Sequence, residues 1–304
     1  MSAAPQIYTL TGNLLAERTL EFATWAPGKT QRASNETFQV GGKGINVSKM
    51  LKRLNVATTA LCFTGGAAGA ECEAWLRDRS LPFRAFPTDQ STRGGTVIRA
   101  ANQPETTFLG VDRAPSAPAL AACAEFLDQQ SDGNILALCG SFPGWNNSTF
   151  DPMRGAIERW SRRGVLVVDT YGPPLAWVCA LRVALVKINA TEFRSLLGDV
   201  DSVASGLASV PAKWAVQRWV VSDGPGIVAY RDTGDSKPAT MTPPIVTEVS
   251  ATGSGDVLLA CLIDSMFLKN APLRVALERA LPIAAANAAH PGVAEFPDPA
   301  GLLS

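Results

Sequence analysis

The chain of 304 residues is 46% hydrophobic and 18% charged, which excludes a disordered protein and suffices for one large α/β domain or two smaller ones. Its 27 basic and 27 acidic side chains give a formal net charge of zero, so the overall charge favours neither nucleic acid nor an acidic membrane surface as a partner. Any recognition of phosphate must therefore be local.

Cysteine and histidine usage excludes several further classes of site. The six cysteines lack C-x-x-C spacing and mostly lie in apolar surroundings, which is typical of buried reduced thiols. The chain has a single histidine, His290, so the sequence gives little support to a Ser-His-Asp catalytic triad or to a His-rich metal site. No basic and then apolar leader opens the chain, and Asp264 interrupts the apolar stretch near the C-terminus, so we expect a cytoplasmic protein without a membrane span.

The first hundred residues combine short strands with glycine-rich turns. Partly alternating apolar and polar residues predict strands over 7–10, 18–22 and 37–40. A glycine loop at 41–44 then precedes a helix whose apolar residues recur at i, i+3, i+4 and i+7 from Val47. This is a strand, glycine loop and helix unit.

The next stretch predicts a strand at 59–63, a helix at 68–79, and two strands at 96–101 and 106–109 that a polar turn joins. Together with the earlier strands, this leaves two patches of antiparallel strand, near residues 8–40 and 93–110. We expect the two patches to form a separate small sheet.

From residue 117 onward, helices and strands alternate with short connections. The predicted helices cover 117–129, 149–162, 174–180, 256–269 and 273–289, and the predicted strands cover 135–139, 165–169, 184–187, 219–222 and 226–230. Repeated βα units imply a parallel sheet with helices on both faces, and ligands of such sheets bind beyond the carboxyl ends of the strands.

A glycine-rich loop precedes the apolar run 257–263. In Gly253–Asp256, two glycines flank a serine and an aspartate opens the predicted helix. Backbone N–H groups at the positive end of that helix dipole could hold an anion such as a transferring phosphoryl group. The alternative is that Asp256 is an ordinary N-cap after a glycine turn.

The first glycine loop in chain order, Gly41–Asn46, does not contain the G-x-x-x-x-G-K-[ST] pattern of a Walker A loop. Its adjacent glycines allow a small ligand to approach the backbone, and Lys43 and Asn46 supply a cation and an amide for hydroxyls or phosphate. A plain turn at the start of a helix is the alternative.

The two loops together, with Leu51–Leu54 behind the first, resemble the paired signatures of the ribokinase-like (PfkB) carbohydrate kinases. Further segments resemble the 1-phosphofructokinase and tagatose-6-phosphate kinase branch of that family, at 8–13, 17–19, 106–107, 140–144 and 187–192. The resemblance spans nearly the whole chain, and the two signatures occur in the family's order.

The resemblance implies a ribokinase-like three-layer α/β/α sandwich with a mostly parallel central sheet and a small β-sheet lid. The chain is then one kinase domain over 1–304, with lid strands contributed by about 8–40 and 93–110. It also implies ATP and Mg²⁺ as cofactors and a sugar or sugar phosphate as substrate. A homodimer through the lid is expected by analogy and because exposed strand edges tend to pair.

Site residues follow by matching positions in the family pattern. Asp256 would be the base that takes the proton from the attacking hydroxyl, while Gly253, Ser254 and Gly255 would offer backbone N–H groups to the phosphoryl group. Substrate binding falls to Glu17, Lys29, Gly41, Gly42, Lys43, Asn46 and Arg93, with Arg32 close by in the lid. Nucleotide binding falls to Lys187, Asn189, Glu192, Ser222, Gly224, Gly226 and Asn287, with Asn189 and Glu192 also holding Mg²⁺, directly or through water.

Purely structural interpretations of some of these residues remain as alternatives. A glutamate in the first turn of a helix is often only a dipole partner, which would account for Glu192. Asp223 and Gly224 suit a simple hairpin turn, and surface lysines and arginines are usually solvated.

Three departures from the family pattern put the acceptor in question. Glu17 replaces an aspartate in the sugar-binding turn, Gly110 stands where the branch often has asparagine, and Ser250-Ala251 replaces the pair associated with a monovalent-cation loop. The leading hypothesis is a kinase of a sugar phosphate, specifically a ketohexose phosphate. The alternatives are a kinase of an unphosphorylated sugar or nucleoside, and a non-catalytic sugar-phosphate or nucleotide sensor.

Overall fold

A nine-stranded, mostly parallel sheet forms the centre of the molecule. The computed structural model describes residues 4–101, 103–198, 200–210, 213–299 and 301–303. In spatial order the strands are Ala239–Met241 (β13), Val228–Arg231 (β12), Trp219–Ser222 (β11), Leu185–Asn189 (β10), Val165–Thr170 (β9), Ile135–Gly140 (β8), Ile7–Thr11 (β1), Thr59–Thr64 (β4) and Phe83–Pro87 (β5). Only β12 and β13 join antiparallel among the described strands of this sheet.

The strand β1 lies in the middle of this sheet, so the prediction that the lid begins near residue 8 is wrong. It pairs in parallel with β4 on one side and β8 on the other, where Leu10 faces Leu61 and Leu138 in register. All five of its residues are buried. A strand covered on both faces needs no alternation of apolar and polar residues, so its pattern could not separate it from the lid strands.

A four-stranded sheet, the lid sheet, lies apart from the central one. Its strands, in order, are Asn35–Gly41 (β3), Leu15–Phe22 (β2), Arg93–Ala100 (β6) and Thr106–Leu109 (β7). Neighbouring strands are antiparallel except at the centre, where β2 and β6 run in parallel. The strands within each predicted patch are therefore antiparallel, and the two patches join through the parallel pair β2 and β6, because the long intervening chain returns β6 in the same direction as β2.

Helices cover both faces of the central sheet and complete three layers. One face carries Lys43–Arg53 (α1), Gly66–Asp78 (α2), Ser254–Ile263 (α8) and Leu273–Ala288 (α9), and the other carries Ala117–Asp128 (α3), Asp151–Arg163 (α4), Pro173–Val178 (α5), Ala190–Leu197 (α6) and Val203–Ser209 (α7). A 3₁₀ turn, Ser148–Phe150, precedes α4, and a π-helical segment, Asp264–Leu268, extends α8. Four of these elements, α6, α7, β5 and β13, were not predicted from the sequence.

The carboxyl ends of the central strands meet at one edge, as the alternating pattern predicts. Register places Thr11 beside Cys139, Gly140 beside Thr170, and Asn189 beside Ser222. No helix within the described ranges is both long and apolar enough to cross a membrane.

Candidate active site

The N-terminus of α8 presents backbone donors toward the shared edge. Gly253 adopts φ 77° and ψ −6°, a left-handed conformation that favours glycine, and a β-carbon there would also clash with Val293. The Ser254 N–H donates to the Ala251 carbonyl over 3.2 Å. Among the described residues, the N–H groups of Gly253, Gly255 and Asp256 have no protein acceptor. Ser254 is thus already engaged, and the other two predicted donors are free.

Asp256 is buried in the first turn of α8 and is joined to the first glycine loop. Asn46 Nδ2 donates to Asp256 Oδ2 over 2.7 Å, so one hydrogen bond links the two signature loops. Burial and the nearby Asp169 carboxylate raise the pKa of Asp256 to about 6, against the opposing pull of Lys43 and Lys187. A carboxylate with this pKa is ionised at neutral pH and is a better proton acceptor than an ordinary aspartate.

A fully buried carboxylate, Asp169, lies at the end of β9 and holds two lysines. Lys43 Nζ donates to Oδ1 over 2.6 Å and Lys187 Nζ donates to Oδ2 over 2.8 Å. Burial acts to raise the pKa of Asp169, but Lys187 and Lys43 hold it below its usual range. This residue was not predicted from the sequence, although its position at the carboxyl end of a predicted strand was a usable signal.

The two lysines lie against the N-terminal ends of α8 and of α6. A β-carbon on Gly255 would clash with Lys187 Nζ, which therefore abuts the first turn of α8. Burial acts to lower the pKa of Lys43, but Asp169, Glu192 and Asp256 raise it overall, so Lys43 stays charged. The edge thus combines free N–H groups with two ammonium groups, which suits an anionic phosphoryl group.

Asn189 and Glu192 begin α6 with a reciprocal capping box. Asn189 Oδ1 accepts from the Glu192 N–H over 2.8 Å, and Glu192 Oε2 accepts from the Asn189 N–H over 2.9 Å. Glu192 Oε1 also accepts from Lys43 Nζ over 3.0 Å. The capping alternative is realised, and Glu192 nonetheless belongs to the charged network. No cluster of three potential metal ligands of the His, Cys, Asp and Glu types occurs in the described part of the chain.

The lid supplies a buried glutamate above the first glycine loop. Glu17 on β2 accepts a hydrogen bond from Gln39 Nε2 on β3, and the two residues face each other in register. Its second oxygen lies over Gly41, where it would be 3.6 Å from a β-carbon placed on that glycine. Gly42 follows as the N-cap of α1, so Glu17, Gly41, Gly42 and Asn46 line one continuous region.

Arg93 opens β6 and forms a small polar cluster, of which the sequence predicted only Arg93. Arg93 Nη1 donates to Asp112 Oδ1 over 2.6 Å, and Asn13 Nδ2 donates to the same oxygen over 2.8 Å. Asn13 Nδ2 also donates to Ser141 Oγ over 3.0 Å. Asp112 belongs to no recognised motif, and it is distant in sequence from Arg93 and Asn13. Its contact with these two residues could therefore not be predicted from local patterns.

Several predicted site residues lie elsewhere or are otherwise occupied. Lys29 and Arg32 are exposed on the loop between β2 and β3, and no polar contact joins them to the site among the described residues. Ser222 lies beside Asn189, while Gly224 and Gly226 form the β11–β12 hairpin that the alternative predicted.

Asn287 lies inside the protein, with no exposed surface, and this corrects its expected place on the wall of an adenine pocket. Its Nδ2 donates to the Thr252 carbonyl over 3.0 Å and to Ser254 Oγ over 3.1 Å, and its Oδ1 accepts from the Ala294 N–H over 2.9 Å. With its amide satisfied by protein atoms, Asn287 holds the loop before α8 in place.

Comparison with known proteins agrees with this geometry. A family model described as pfkB family carbohydrate kinase matches residues 11–300. The chain is 30% identical to 1-phosphofructokinase of Bacillus subtilis (strain 168) over 193 residues, which are 63% of this chain and 62% of that relative. It is 27% identical to ATP-dependent 6-phosphofructokinase isozyme 2 of Escherichia coli (strain K12), over 84% of each chain.

Solved structures extend the likeness of the fold over nearly the whole chain. Phosphofructokinase-2 from Escherichia coli in complex with fructose-6-phosphate superposes with a TM-score of 0.83 at 23% identity, covering 93% of this chain and 94% of that one. Arabidopsis thaliana ribokinase complexed with ribose and ATP superposes with a TM-score of 0.72 at 18% identity, covering 99% and 98%. The predicted ribokinase-like α/β fold is confirmed, and the chain belongs to the pfkB family of carbohydrate kinases.

Proposed function

We propose that this chain transfers the γ-phosphoryl group of ATP to a hydroxyl of a sugar phosphate, specifically a ketohexose phosphate. The observation that carries the proposal is the hydrogen bond from Asn46 to Asp256, which joins the sugar-side loop to the helix end with free N–H groups. The names of the two relatives, 1-phosphofructokinase and 6-phosphofructokinase, support a phosphorylated ketose as the acceptor.

In the proposed reaction, Asp256 accepts the proton of the acceptor hydroxyl as the hydroxyl oxygen forms a bond to the γ-phosphorus. The bond from that phosphorus to the bridging oxygen breaks, and ADP leaves with the electron pair. The N–H groups of Gly253 and Gly255 and the ammonium groups of Lys43 and Lys187 offset the charge of the transferring group. Positioning and charge stabilisation then supply most of the rate enhancement.

Nucleotide binding is proposed for the edge between β10 and β11, where Lys187, Asn189 and Ser222 lie together and the Gly224–Gly226 hairpin follows. Mg²⁺ would accompany the ATP phosphates, because the nearby oxygen donors suit a hard cation. Glu192 and Asn189 already serve the capping box, and Glu192 also binds Lys43, so they fit contact through water better than a closed cage.

A second candidate acceptor, an unphosphorylated sugar, is favoured by one observation. Arg93, the residue proposed to bind the acceptor's phosphate, is paired with Asp112, and Glu17 adds another carboxylate in the neighbouring region. These three residues together carry two negative charges and one positive charge. The hydroxyl groups of a neutral sugar could hydrogen-bond to them without displacing the ion pair between Arg93 and Asp112.

The first prediction concerns the proposed base. Asp256→Asn should lower kcat by a factor of about 10² to 10⁴, since the amide keeps the side chain's shape but cannot accept the proton. Turnover is measured as ADP release with a panel of sugars and sugar phosphates, and ATP binding is measured by calorimetry. Asp78→Asn, on the exposed end of α2, is the matched control. A variant at position 256 that retains most of its activity would remove Asp256 from the role of base.

The same substitution should increase stability at alkaline pH. The pKa of Asp256 is raised from 3.8 to about 6 in the folded protein, so its ionised form above pH 6 costs folding free energy that the neutral amide of Asp256→Asn would not incur. At about 1.4 kcal/mol per pKa unit, the gain at pH 8 is about 1 to 3 kcal/mol, and it shrinks as the pH falls toward 4. Urea unfolding at pH 8 and pH 5 measures it. An equal gain at both pH values would contradict the shifted pKa.

Another prediction separates the two acceptor classes. Arg93→Gln should raise KM for the phosphorylated acceptor about 10-fold to 100-fold, because a hydrogen bond to a charged group is lost, while KM for ATP changes little. Steady-state kinetics with fructose phosphates and with fructose provide the comparison. Unchanged KM for every phosphorylated acceptor would favour the unphosphorylated sugar instead.

We also propose that the chain forms a homodimer through the lid sheet. Its edge strand β7 and the following turn expose Phe108, Leu109 and Val111, and open strand edges favour pairing. Phosphofructokinase-2 from Escherichia coli is known in a tetrameric inhibited form, which supports assembly in this family. Sedimentation at micromolar concentration should give a dimer for the native chain and a monomer for Leu109→Lys. A monomeric native chain would contradict the proposal.

A further inference from the structure

The Asp112 carboxylate is paired with the guanidinium group of Arg93, which is proposed to bind the acceptor's phosphate. Its Oδ1 accepts from both Arg93 Nη1 and Asn13 Nδ2, over 2.6 Å and 2.8 Å. The second donated hydrogen bond of Asn13 reaches Ser141. A carboxylate oxygen that takes two donors at once holds the position that an oxygen of a bound anion would take.

The chain after β7 is built to bring Asp112 to this position. The Gly110 N–H donates to the Gly94 carbonyl over 2.8 Å. A β-carbon on Gly110 would lie 2.9 Å from that carbonyl oxygen, so only glycine allows this approach. The close contact holds residues 110–112 against the start of β6, where Arg93 lies. Gly110, one of the departures from the family pattern, therefore places the carboxylate beside Arg93.

We propose that Asp112 is a specificity-determining residue that competes with the acceptor's phosphate for Arg93. The inference rests on the proposed phosphorylation of a sugar phosphate and names a residue that sets which acceptor is bound. When the acceptor binds, its phosphate replaces the carboxylate on Arg93 and Asn13, and the Asp112 side chain moves away from Arg93.

The exposures of the two side chains decide which partner can move. The Asp112 side chain is 55% exposed, whereas the Arg93 side chain is 14% exposed. Among the described residues, Asp112 Oδ2 receives no hydrogen bond, so its carboxylate is held through one oxygen only. The aspartate can therefore leave without breaking other contacts, while Arg93 stays in place. Exposed ion pairs of this kind contribute little to stability.

The charge of the acceptor relative to that of the Asp112 carboxylate determines which acceptors can displace Asp112 from Arg93. A phosphate monoester carries a charge of about −1.5 to −2 and three acceptor oxygens, so it can displace a single carboxylate. An acceptor that carries only a carboxylate offers Arg93 no more than Asp112 already does. Neutral sugars offer Arg93 hydroxyl oxygens as hydrogen-bond acceptors but no negative charge, so they do not displace the Asp112 carboxylate. Asp112 thus favours sugar phosphates over sugar acids and weakens binding of all anions below what Arg93 alone would give.

The test compares Asp112→Asn with the native chain, because asparagine keeps the size and removes the charge. We expect KM for the phosphorylated acceptor to fall about 5-fold to 10-fold, with a smaller change in kcat and no change in KM for ATP. The Asp112→Asn substitution in an Arg93→Gln background should lower KM much less, since only the hydrogen bond from Asn13 is then contested. Asp128→Asn, which removes the carboxylate from the exposed pair with Arg159, is the matched control.

A binding measurement separates failure of this inference from failure of the proposed function. Inorganic phosphate alone should raise the melting temperature of Asp112→Asn more than that of the native chain, and this difference should be much smaller with Arg93→Gln. The phosphate result stands even when no sugar phosphate is turned over. An equal response of the native chain and Asp112→Asn to phosphate would overturn the inference. A raised KM in Asp112→Asn would also overturn it, by showing that the carboxylate binds the acceptor itself.

Discussion

The active site depends on one buried carboxylate, Asp169, which is paired with two lysines. A buried ionised group is costly unless it is paired, and each Asp169 oxygen accepts from one ammonium group, of Lys43 or Lys187. The pairing in turn fixes both lysines: Lys43 reaches from the first glycine loop to Glu192, and Lys187 lies against Gly255. Without Asp169, two positive charges would remain buried beside the helix end. The charge network therefore fixes the surroundings of Asp256, the proposed base.

Parts of this arrangement were predictable because they follow local rules. Alternating helices and strands identified the parallel sheet, and the glycine loops identified Asp256 and Asn46. Asp169 was missed because a lone aspartate at a strand end has no local pattern; its role comes from two lysines that lie 126 and 18 residues away. Asn287 was assigned to a pocket wall because a sequence does not show that its amide is fully used inside the protein. Local sequence patterns do not reveal which polar side chains are buried or which residues distant in sequence pair with them.

The two ends of the site differ in how they carry charge. At the end of the site that holds Asp256, the charges lie on the central sheet and its helices, where the buried Asp169 pairs with Lys43 and Lys187 and Lys43 also pairs with Glu192. At the acceptor end they lie on the lid sheet and on the turn after β7, where Asp112 is half exposed and Glu17 is held by Gln39. In the proposed function, phosphoryl transfer therefore relies on residues of the central sheet and its helices, while selection of the acceptor relies on residues of the lid sheet and the turn after β7.

The parallel pairing of β2 with β6 makes the lid sheet act as one unit toward the acceptor. Register places Leu15 beside Arg93 and Glu17 beside Gly95, so the residues proposed to bind the acceptor move together. At its far end the lid sheet contacts the segment after α9, where Arg99 Nη2 donates to the Pro291 carbonyl over 2.6 Å. It also contacts the loop before α8, where Thr252 Oγ1 donates to Glu105 Oε1 over 3.5 Å. The lid sheet therefore joins the residues proposed to bind the acceptor to the loop whose N–H groups are proposed to face the phosphoryl group.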